Sequence, residues 1–313
     1  MAEKIATREA YGNALAELGE KYDFVVLDAD LAEATKTLYF KKAFPERFFD
    51  CGIAEGNMMS VAAGIASTGK PVFASTFAMF AAGRAFEQVR NSIGYPHLNV
   101  KIGATHAGIT VGEDGATHQC NEDIALMRTI PGMTVINPAD AVEARAAVEA
   151  ALNIDGPVYM RFGRYAVPVI NETPDYKFEV GKGVELLDGS DVTIVATGLM
   201  VSMALEAAKI LKEEGIAARV VNIHTIKPID KEIIVKAARQ TGAIVTAEEH
   251  NIIGGLGSAV AEVLCENCPV PMLRVGVEDK YGHSGKVPPL LEMYGLTPAN
   301  IADKARKAIA LKK

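Results

Sequence analysis

The sequence predicts an α/β protein with two domains, each built on a mostly parallel β-sheet that helices cover. Short apolar runs alternate with segments of helical periodicity along the 313 residues, which is typical of this class. The apolar runs show no polar-apolar alternation, as expected for strands buried on both faces. The pattern breaks once, in a mixed polar stretch with Pro168 and Pro174. We therefore predict a first domain over 1–168, a linker over 169–188 and a second domain over 189–313.

The first domain is predicted to begin with a helix, because Tyr11, Leu15 and Leu18 share one face at helical spacing. Asn137 to Asp140 supplies the turn and the cap of its last helix. The predicted strands span 24–27, 48–53, 70–74, 99–103, 133–136 and 158–162. Between the strands, helices are predicted at 8–22, 55–67, 76–92 and 139–152, and the segment 35–44 is predicted as a helix or an irregular cover.

The second domain repeats the alternation after the predicted linker. Its strands are predicted at 192–196, 218–222, 243–246 and 272–275. Its helices are predicted at 200–214, 230–240, 254–264 and 298–311. A glycine-rich turn opens the third of these helices, and we interpret it as a packing feature because such turns are weak signals of a ligand.

Composition excludes several classes of protein. The formal net charge of −7 argues against a general nucleic-acid binder, although a local basic pocket remains compatible with it. No apolar run is long enough to span a bilayer, and the opening Met1-Ala2-Glu3-Lys4 lacks the features of a signal peptide. Four cysteines in so long a chain form no disulfide framework, so we expect a cytoplasmic location. Cys265 and Cys268 lack the second pair of a zinc site, and we interpret them as incidental.

The stretch from Phe48 to Met58 contains a lone carboxylate, Glu55, where a predicted strand gives way to a predicted helix. In open α/β sheets, ligands bind at the carboxyl ends of the strands. Taken alone, the stretch favours a solvated glutamate that the helix dipole stabilises. The rest of the chain makes a ligand-binding role the stronger interpretation.

The segment 104–122 follows a predicted strand and combines His106, Asp114 and His118 with several glycines. Small residues let the backbone approach a ligand closely, and neighbouring imidazoles and carboxylates suit sugar hydroxyls or proton transfer. A metal site is the weaker option because further ligands are not evident, and we assign no metal ligand. A structured surface loop without a function is the alternative, but the length of the segment favours a functional loop.

A series of motifs in this chain resembles transketolase. The strongest is Gly112-Glu113-Asp114-Gly115-Ala116-Thr117-His118-Gln119, which Thr105-His106 precedes. The supporting motifs are Ala6-Thr7-Arg8, Ala29-Asp30-Leu31, Ala54-Glu55-Gly56-Asn57-Met58, Ser75-Thr76-Phe77-Ala78-Met79-Phe80, Asn137-Pro138-Ala139-Asp140 and Gly156-Pro157 with Arg164. The resemblance covers essentially the whole chain. It corresponds to the carboxyl-terminal half of a full-length transketolase, which holds the pyrimidine-binding domain and the terminal domain.

The amino-terminal half of the family has no counterpart here. Family members hold a diphosphate and a divalent metal through a Gly-Asp-Gly motif and a downstream Asn, and no Gly-Asp-Gly occurs in this sequence. The resemblance therefore implies a split enzyme, in which an amino-terminal transketolase subunit supplies the site for the diphosphate of thiamine diphosphate and for Mg²⁺. We also expect the apolar first domain to pair across a two-fold axis, which would give two copies of each chain.

The resemblance assigns four residues to the cofactor. Glu55 matches the glutamate that bonds a ring nitrogen of the aminopyrimidine, where a buried carboxylate shares a proton with the ring and favours the active tautomer. Phe80 matches the aromatic residue that stacks on the pyrimidine, with Phe77 close by. Without the motif, both would be interpreted as core residues at helical spacing. Asp30 matches an aspartate near the thiazolium.

Five residues match the substrate side of the family. His106, Asp114 and His118 match residues that bond sugar hydroxyls and move protons during ketol cleavage. Arg8 and Arg164 match the arginines that bind the sugar phosphate, although a salt-bridged surface arginine is the alternative for each. Such charges would form a basic pocket on an acidic protein, which agrees with a phosphorylated substrate.

The chain departs from the family at some positions. Ala34 stands where a phosphate-binding Ser is usual, and Thr35 follows it, so this phosphate contact is open. Ala107 stands where an acid is usual. The segments 83–89 and 248–258 are more similar to deoxyxylulose-phosphate synthases and to the β subunits of 2-oxo-acid dehydrogenases.

The leading hypothesis is a transketolase subunit that transfers a two-carbon ketol unit between phosphorylated sugars, with Glu55, His106 and His118 as its catalytic residues. A related thiamine-diphosphate enzyme, of the deoxyxylulose-phosphate synthase or 2-oxo-acid dehydrogenase type, is the first alternative. His106 favours ketose chemistry, because it adds a second sugar-directed histidine twelve positions before His118. A binding or scaffolding relative without turnover is the second alternative.

Overall fold

The structure, a computed structural model, describes residues 3–171 and 176–312. Pro174 of the predicted linker lies outside the described residues, as do Met1 and Ala2 of the segment compared with a signal peptide. In the part that is described, no helix is long and apolar enough to cross a membrane.

Strands and helices alternate along the first domain. Its strands are β1 (Lys4–Ala6), β2 (Val25–Asp28), β3 (Phe48–Asp50), β4 (Val72–Phe77), β5 (Val100–Thr105), β6 (Thr134–Ile136), β7 (Val158–Arg161) and β8 (Ala166–Pro168). Its α-helices are α1 (Thr7–Leu18), α2 (Ala32–Thr35), α3 (Leu38–Ala43), α4 (Glu55–Ala66), α5 (Phe86–Gln88), α6 (Asp123–Arg128) and α7 (Ala141–Leu152). Short 3₁₀ turns lie at Pro45–Arg47 and Ile109–Val111, and π-helical turns lie at Phe80–Arg84 and Val89–Gly94.

The second domain continues the alternation. Its strands are β9 (Val184–Leu187), β10 (Val192–Ala196), β11 (Ala218–Asn222), β12 (Thr225–Lys227), β13 (Ile244–Asn251) and β14 (Met272–Val277). Its helices are α8 (Met200–Glu213), α9 (Lys231–Thr241), α10 (Leu256–Asn267), α11 (Val287–Met293) and α12 (Pro298–Ala310).

Both large sheets are mostly parallel, so the predicted fold class is confirmed. Among the described residues, the first sheet has seven strands in the order β12-β6-β7-β5-β4-β2-β3, and the second has five in the order β14-β13-β10-β11-β9. The strands β12 and β9 are antiparallel to their neighbours. Strands such as Val25–Asp28 and Val192–Ala196 are buried along their whole length, as the lack of alternation predicted.

The two domains share one apolar core. The largest buried cluster includes Met58 and Met59 of α4 together with Val221 and Leu256 of the second domain. Each fully buried side chain of this size contributes about 1.5–3 kcal/mol relative to an exposed one. The strand β12 also adds to the edge of the first sheet by pairing with β6. The second domain is therefore fixed against the first, and its loops can take part in a site of the first domain.

The structure differs from the prediction between 76 and 92, where a single helix was expected. Instead, β4 continues to Phe77, because its parallel pairing extends until Phe77 faces Thr105. The rest of the segment consists of the π-helical turn Phe80–Arg84, the helix α5 and the π-helical turn Val89–Gly94. The strand β9 lies within the segment predicted as a linker, and the domain limits at 168 and 188 stay a prediction.

Candidate functional site

The carboxyl edge of the first sheet collects residues from four successive strands. Asp30 follows β2, Glu55 follows β3, Phe77 ends β4 and His106 follows β5. Because these strands are parallel, their carboxyl ends meet at the edge where open α/β sheets bind ligands. Asp30 and His106 have φ angles of 61° and 56°. Such angles are uncommon for residues other than glycine, and strained residues of this kind cluster at functional sites.

Glu55 is the first residue of α4, and its side chain is 1% exposed. Within the described residues, its charged partner is Arg84, whose Nη1 lies 2.8 Å from Oε1 and 2.9 Å from Oε2. The start of a helix favours a carboxylate through its dipole. A buried carboxylate is nevertheless costly unless it is paired. Arg84 is 52% exposed, so the buried acid depends on a cation that reaches in from the surface.

Three rings form a stack beside this carboxylate, which we name the ring stack: His106, Phe77 and Phe80. The ring centroids of His106 and Phe77 are 3.8 Å apart, and those of Phe77 and Phe80 are 5.7 Å apart, with near-parallel planes in both pairs. His118 meets Phe80 edge-on at 5.4 Å. The Arg84 guanidinium lies 4.3 Å from the Phe80 centroid. A half-buried aromatic face next to a buried acceptor suits a flat cationic heterocycle.

His106 is held as a neutral imidazole. Burial first, and then the nearby charge of Arg8, lowers the pKa of His106 to about 3. The Nη1 of Arg8 lies 2.9 Å from Nε2 of His106, and the Thr105 hydroxyl lies 2.9 Å from Nδ1. Because Arg8 can only donate, Nε2 must accept and Nδ1 carries the proton. Both ring nitrogens of His106 therefore have a partner in this arrangement, and its role toward the substrate stays a prediction.

Several cations surround His106. Arg8, Arg164 and Lys36 all lie close enough to lower its pKa. Burial and Arg164 lower the pKa of Arg8 itself, so the two guanidinium groups repel each other. Arg8 donates to the backbone oxygen of Ala34 at 2.9 Å, and Arg164 lies 3.3 Å from the exposed Glu113 carboxylate. Such a cluster is suited to bind a phosphate or a similar anion.

Two predicted residues stand apart from this set. Asp30 and Asp114 are exposed, and in the described ranges neither side chain bonds to the ring stack.

Asp28, which the sequence did not predict as a site residue, is buried near the same edge of the sheet. Its carboxylate accepts hydrogen bonds from the hydroxyls of Thr35 at 2.7 Å and Thr37 at 2.9 Å, and burial raises its pKa to about 6. The Thr35 hydroxyl is therefore engaged inside the protein and does not reach a phosphate in this arrangement.

The second domain holds the loop that carries His118. The buried carboxylate of Glu249 accepts the backbone N–H of Thr110 at 2.7 Å. Nε2 of Gln119 donates to the backbone oxygen of His283 at 2.9 Å, and the Ser284 hydroxyl donates to the backbone oxygen of Glu113 at 2.5 Å. These bonds cross between the domains. They fix the loop relative to the ring stack, which the local sequence of the loop could not predict.

Besides Asp28, the sequence did not predict Arg84 and Lys36 as site residues. The contact of Arg84 with Glu55 joins positions 29 residues apart, so local sequence does not reveal it. Lys36 has a φ angle of 72°, in the left-handed region, directly after α2. Hydrophobic periodicity in the sequence does not predict such a backbone turn. A signal for Arg84 existed in its position four residues after Phe80, on the turn that bears the aromatic side chain.

The donor set fits one part of thiamine diphosphate. A buried carboxylate and a half-buried aromatic ring that share one neighbour, Arg84, suit an aminopyrimidine, which combines a flat ring with nitrogen donors. The diphosphate of the cofactor and its metal ion would need other protein groups to bind them. Across 3–171 and 176–312, no group of three or more His, Cys, Asp or Glu residues could hold a metal ion.

Family models match both domains of the chain. The model described as "Transketolase, pyrimidine binding domain" matches residues 3–169. The model described as "Transketolase, C-terminal domain" matches residues 181–301. Together they cover nearly all of the chain.

Two relatives and one solved structure are similar to this chain over almost their whole length. A Methanocaldococcus jannaschii protein named after the transketolase C-terminal section is 54% identical over 300 residues, which are 95% of this chain and 94% of that protein. The 6-deoxy-6-sulfo-D-fructose transketolase subunit of Clostridium sp. (strain MSTE9) is 47% identical over 301 residues, 96% of this chain and 93% of that protein. A solved structure described as a split-gene transketolase in an inactive β4 tetramer has a TM-score of 0.91 and 58% identity, and the match covers 99% of this chain and 100% of that one.

Proposed function

The chain belongs to the transketolase family, and we propose that it is the carboxyl-terminal subunit of a split enzyme that moves a two-carbon ketol unit from a phosphorylated ketose to an aldose. The observation that carries this proposal is the buried Glu55 carboxylate, which shares the neighbour Arg84 with the ring of Phe80. Bound thiamine diphosphate supplies the carbon that accepts and passes on the two-carbon unit. The fold and the family membership agree with this chemistry.

Glu55 would hold the aminopyrimidine through a hydrogen bond to a ring nitrogen, and Phe80 would stack on the ring with Phe77 behind it. The proximity of Phe77 to both Phe80 and His106 supports this role, because the stack keeps the Phe80 face in place. Asp30 lies at the same edge of the sheet, and we propose that it faces the thiazolium part. The burial of Glu55 keeps water from competing for its oxygens.

On the substrate side, Arg8 and Arg164 would bind the terminal phosphate. Burial, and then the charge of Arg164, lowers the pKa of Arg8, and this supports the role because an added dianion would relieve the repulsion between the two cations. His106, buried and neutral, positions Arg8. His118 is half-buried beside Phe80, and we propose that it moves the proton of a sugar hydroxyl, with Asp114 bonding another hydroxyl.

This chain would form one half of the catalytic site. The diphosphate and Mg²⁺ ligands would come from an amino-terminal transketolase subunit, because no Gly-Asp-Gly motif occurs here. The similar structure that consists of β chains alone is described as inactive, which supports a need for the partner. We propose that two copies of each chain assemble, and that the domains divide at 168 and 188.

A terminal sulfonate is a second candidate for the anionic end of the donor sugar. One relative is named for a 6-deoxy-6-sulfo-D-fructose substrate. A sulfonate and a phosphate are both tetrahedral anions that an arginine pair can bind. Turnover of xylulose 5-phosphate compared with 6-deoxy-6-sulfo-D-fructose would identify the preferred anion.

The test is a ketol-transfer assay with xylulose 5-phosphate and ribose 5-phosphate in the presence of thiamine diphosphate and MgCl₂. We expect turnover when this chain is mixed with a candidate amino-terminal subunit, and none with either chain alone. The Glu55→Ala mixture should lose turnover, while the control Glu206→Ala, an exposed residue of α8, should keep it. Turnover by this chain alone, or full activity in Glu55→Ala, would contradict the proposal.

A further inference from the structure

Arg84 makes the two contacts that the proposed function assigns to the aminopyrimidine. Its Nη1 bonds both oxygens of Glu55, at 2.8 and 2.9 Å. Its guanidinium carbon lies 4.3 Å from the centroid of Phe80. We propose that Arg84 is a place-holder, which occupies Glu55 and Phe80 in the free chain and which the cofactor displaces. This inference rests on the proposed function.

The chemistry of the guanidinium explains how it can take the place of the ring. It is flat, it carries N–H donors for a carboxylate, and its cationic plane stacks on an aromatic face. A protonated aminopyrimidine shares these three properties. The Glu55 carboxylate and the Phe80 face cannot bind the guanidinium and the aminopyrimidine at the same time. Arg84 and the cofactor therefore compete for them.

The difference in burial determines which partner can leave. Glu55 is 1% exposed and begins α4, so its carboxylate stays in place. Arg84 is 52% exposed, so its guanidinium is already partly hydrated and can move fully into water at a low cost in free energy. It ends the π-helical turn Phe80–Arg84, and turns of this type occur frequently at functional sites.

The place-holder has a consequence for the free chain and one for the cofactor. In the free chain it prevents an unpaired buried carboxylate, which would destabilise the fold. For the cofactor it lowers the fraction of molecules with an open site, and the apparent affinity falls in proportion to that fraction. Removing Arg84 should therefore weaken the free chain and tighten cofactor binding, a combination that a purely structural or a purely cofactor-binding arginine would not produce.

The experiment titrates thiamine diphosphate, in the presence of MgCl₂, into mixtures of a candidate amino-terminal subunit with wild-type chain, Arg84→Met or Arg90→Met. Met keeps much of the apolar stem and removes the charge. Arg90 is the matched control, because it is exposed on the next π-helical turn and its Nη1 bonds Asn91. We expect about tenfold tighter binding in Arg84→Met, as for a site that is open in about a tenth of wild-type molecules. The cofactor-free Arg84→Met chain should also melt at a lower temperature than Arg90→Met.

If a folded Arg84→Met mixture binds thiamine diphosphate with the same affinity as the wild-type mixture, or more weakly, the inference is wrong. Arg84 would then have no effect on cofactor binding or would assist it. If Arg84→Met does not fold, Arg84→Lys serves instead. A lysine keeps the charge but loses the flat fork, so we expect a smaller gain in affinity, and a loss of affinity would overturn the inference. Failure of the proposed function has a different signature: the wild-type mixture would not bind thiamine diphosphate, or Glu55→Gln would bind it as tightly as wild type.

Discussion

Two buried glutamates, one in each domain, sit beside the start of a helix and differ in what satisfies them. In the second domain, Glu248 of β13 is fully buried, and its oxygens accept the backbone N–H groups of Leu256 at 2.6 Å and Gly257 at 2.8 Å. In the first domain, Glu55 is equally buried, but its oxygens are bonded by the side chain of the half-exposed Arg84. The Glu248 carboxylate is therefore bonded to the backbone of the following helix, whereas the Glu55 carboxylate is bonded to a side chain that can move away.

This difference separates a structural carboxylate from one that can serve a ligand. Glu248 acts as an acceptor for the first turn of α10, and a Cβ at Gly255 would lie only 2.0 Å from one of its oxygens. The backbone there is packed closely around the carboxylate, and the buried Nδ1 of His250 lies 3.8 Å from its Oε2. Glu55 has a partner that can be replaced and an aromatic face beside it. Burial alone would not distinguish the two residues, whereas the identity of the donors does.

The largest effect that follows from the comparison concerns Glu55→Gln. This change keeps the shape of the side chain and removes its charge, so ketol transfer in the mixed subunits should fall by about 10²–10⁴-fold, the usual range for a lost acid-base group. Glu248→Gln is the control, and its folded fraction should keep normal turnover. Comparable losses in both variants would remove the distinction between the two sites.

The next effect concerns the stability of Glu248→Ala. Two buried N–H groups lose their acceptor, and the free energy of unfolding should fall by about 2–4 kcal/mol, at about 1–2 kcal/mol for each group. Denaturant unfolding of the chain alone measures this. The same measurement on the exposed Glu206→Ala should show almost no change. An unfolding free energy in Glu248→Ala that matches wild type would mean that the two bonds do not stabilise α10.

A smaller effect is expected for Arg8→Met. If Arg8 binds the terminal anion, the KM for xylulose 5-phosphate should rise by about 10–100-fold, as for the loss of a hydrogen bond to a charged group. Arg145→Met is the control, since Arg145 pairs with Glu17 and Glu149 on the surface of α7. With unphosphorylated xylulose as donor, wild type and Arg8→Met should perform alike, and a persistent difference would assign Arg8 another role.

The smallest effect is a pH dependence that His106 imposes. Its pKa is about 3 in the folded chain, against an ordinary value of 6.5. The unfolded chain therefore binds more protons between these values, so the stability linked to His106 is complete above pH 6.5 and is lost as the pH falls toward 3. Between pH 6.5 and 5.5, wild type should lose about 1 kcal/mol more than His106→Gln in urea unfolding. Parallel losses in the two proteins would show that His106 is not held neutral.

The sequence predicted the two α/β domains and most strands because local periodicity carries that information. The strands 192–196 and 218–222 were predicted at their observed bounds. The prediction of a single helix over 76–92 was wrong, because the extension of β4 to Phe77 depends on its pairing with β5. The strand β12 was missed for a similar reason, because it is formed by contact with β6 of the other domain.

The site was predictable only in part. The resemblance to the family assigned Glu55, Phe77 and His106 to one site for cofactor and substrate, and the structure places all three at one edge of the first sheet. The state of each group depends on distant partners: Arg84 for Glu55 and Arg8 for His106. These contacts join segments far apart in sequence, so composition and spacing could not predict them. The roles of the site residues stay predictions until they are measured.

The central claim is that this chain contributes Glu55 to a cofactor site that another polypeptide completes. Calorimetric titration of thiamine diphosphate with MgCl₂ into this chain, the candidate amino-terminal subunit and their mixture tests it most directly. We predict saturable binding in the mixture alone, at one cofactor for each pair of chains, and a clear loss of affinity when the mixture contains Glu55→Gln. Binding of the same strength to either chain alone, or to the Glu55→Gln mixture, would contradict the claim.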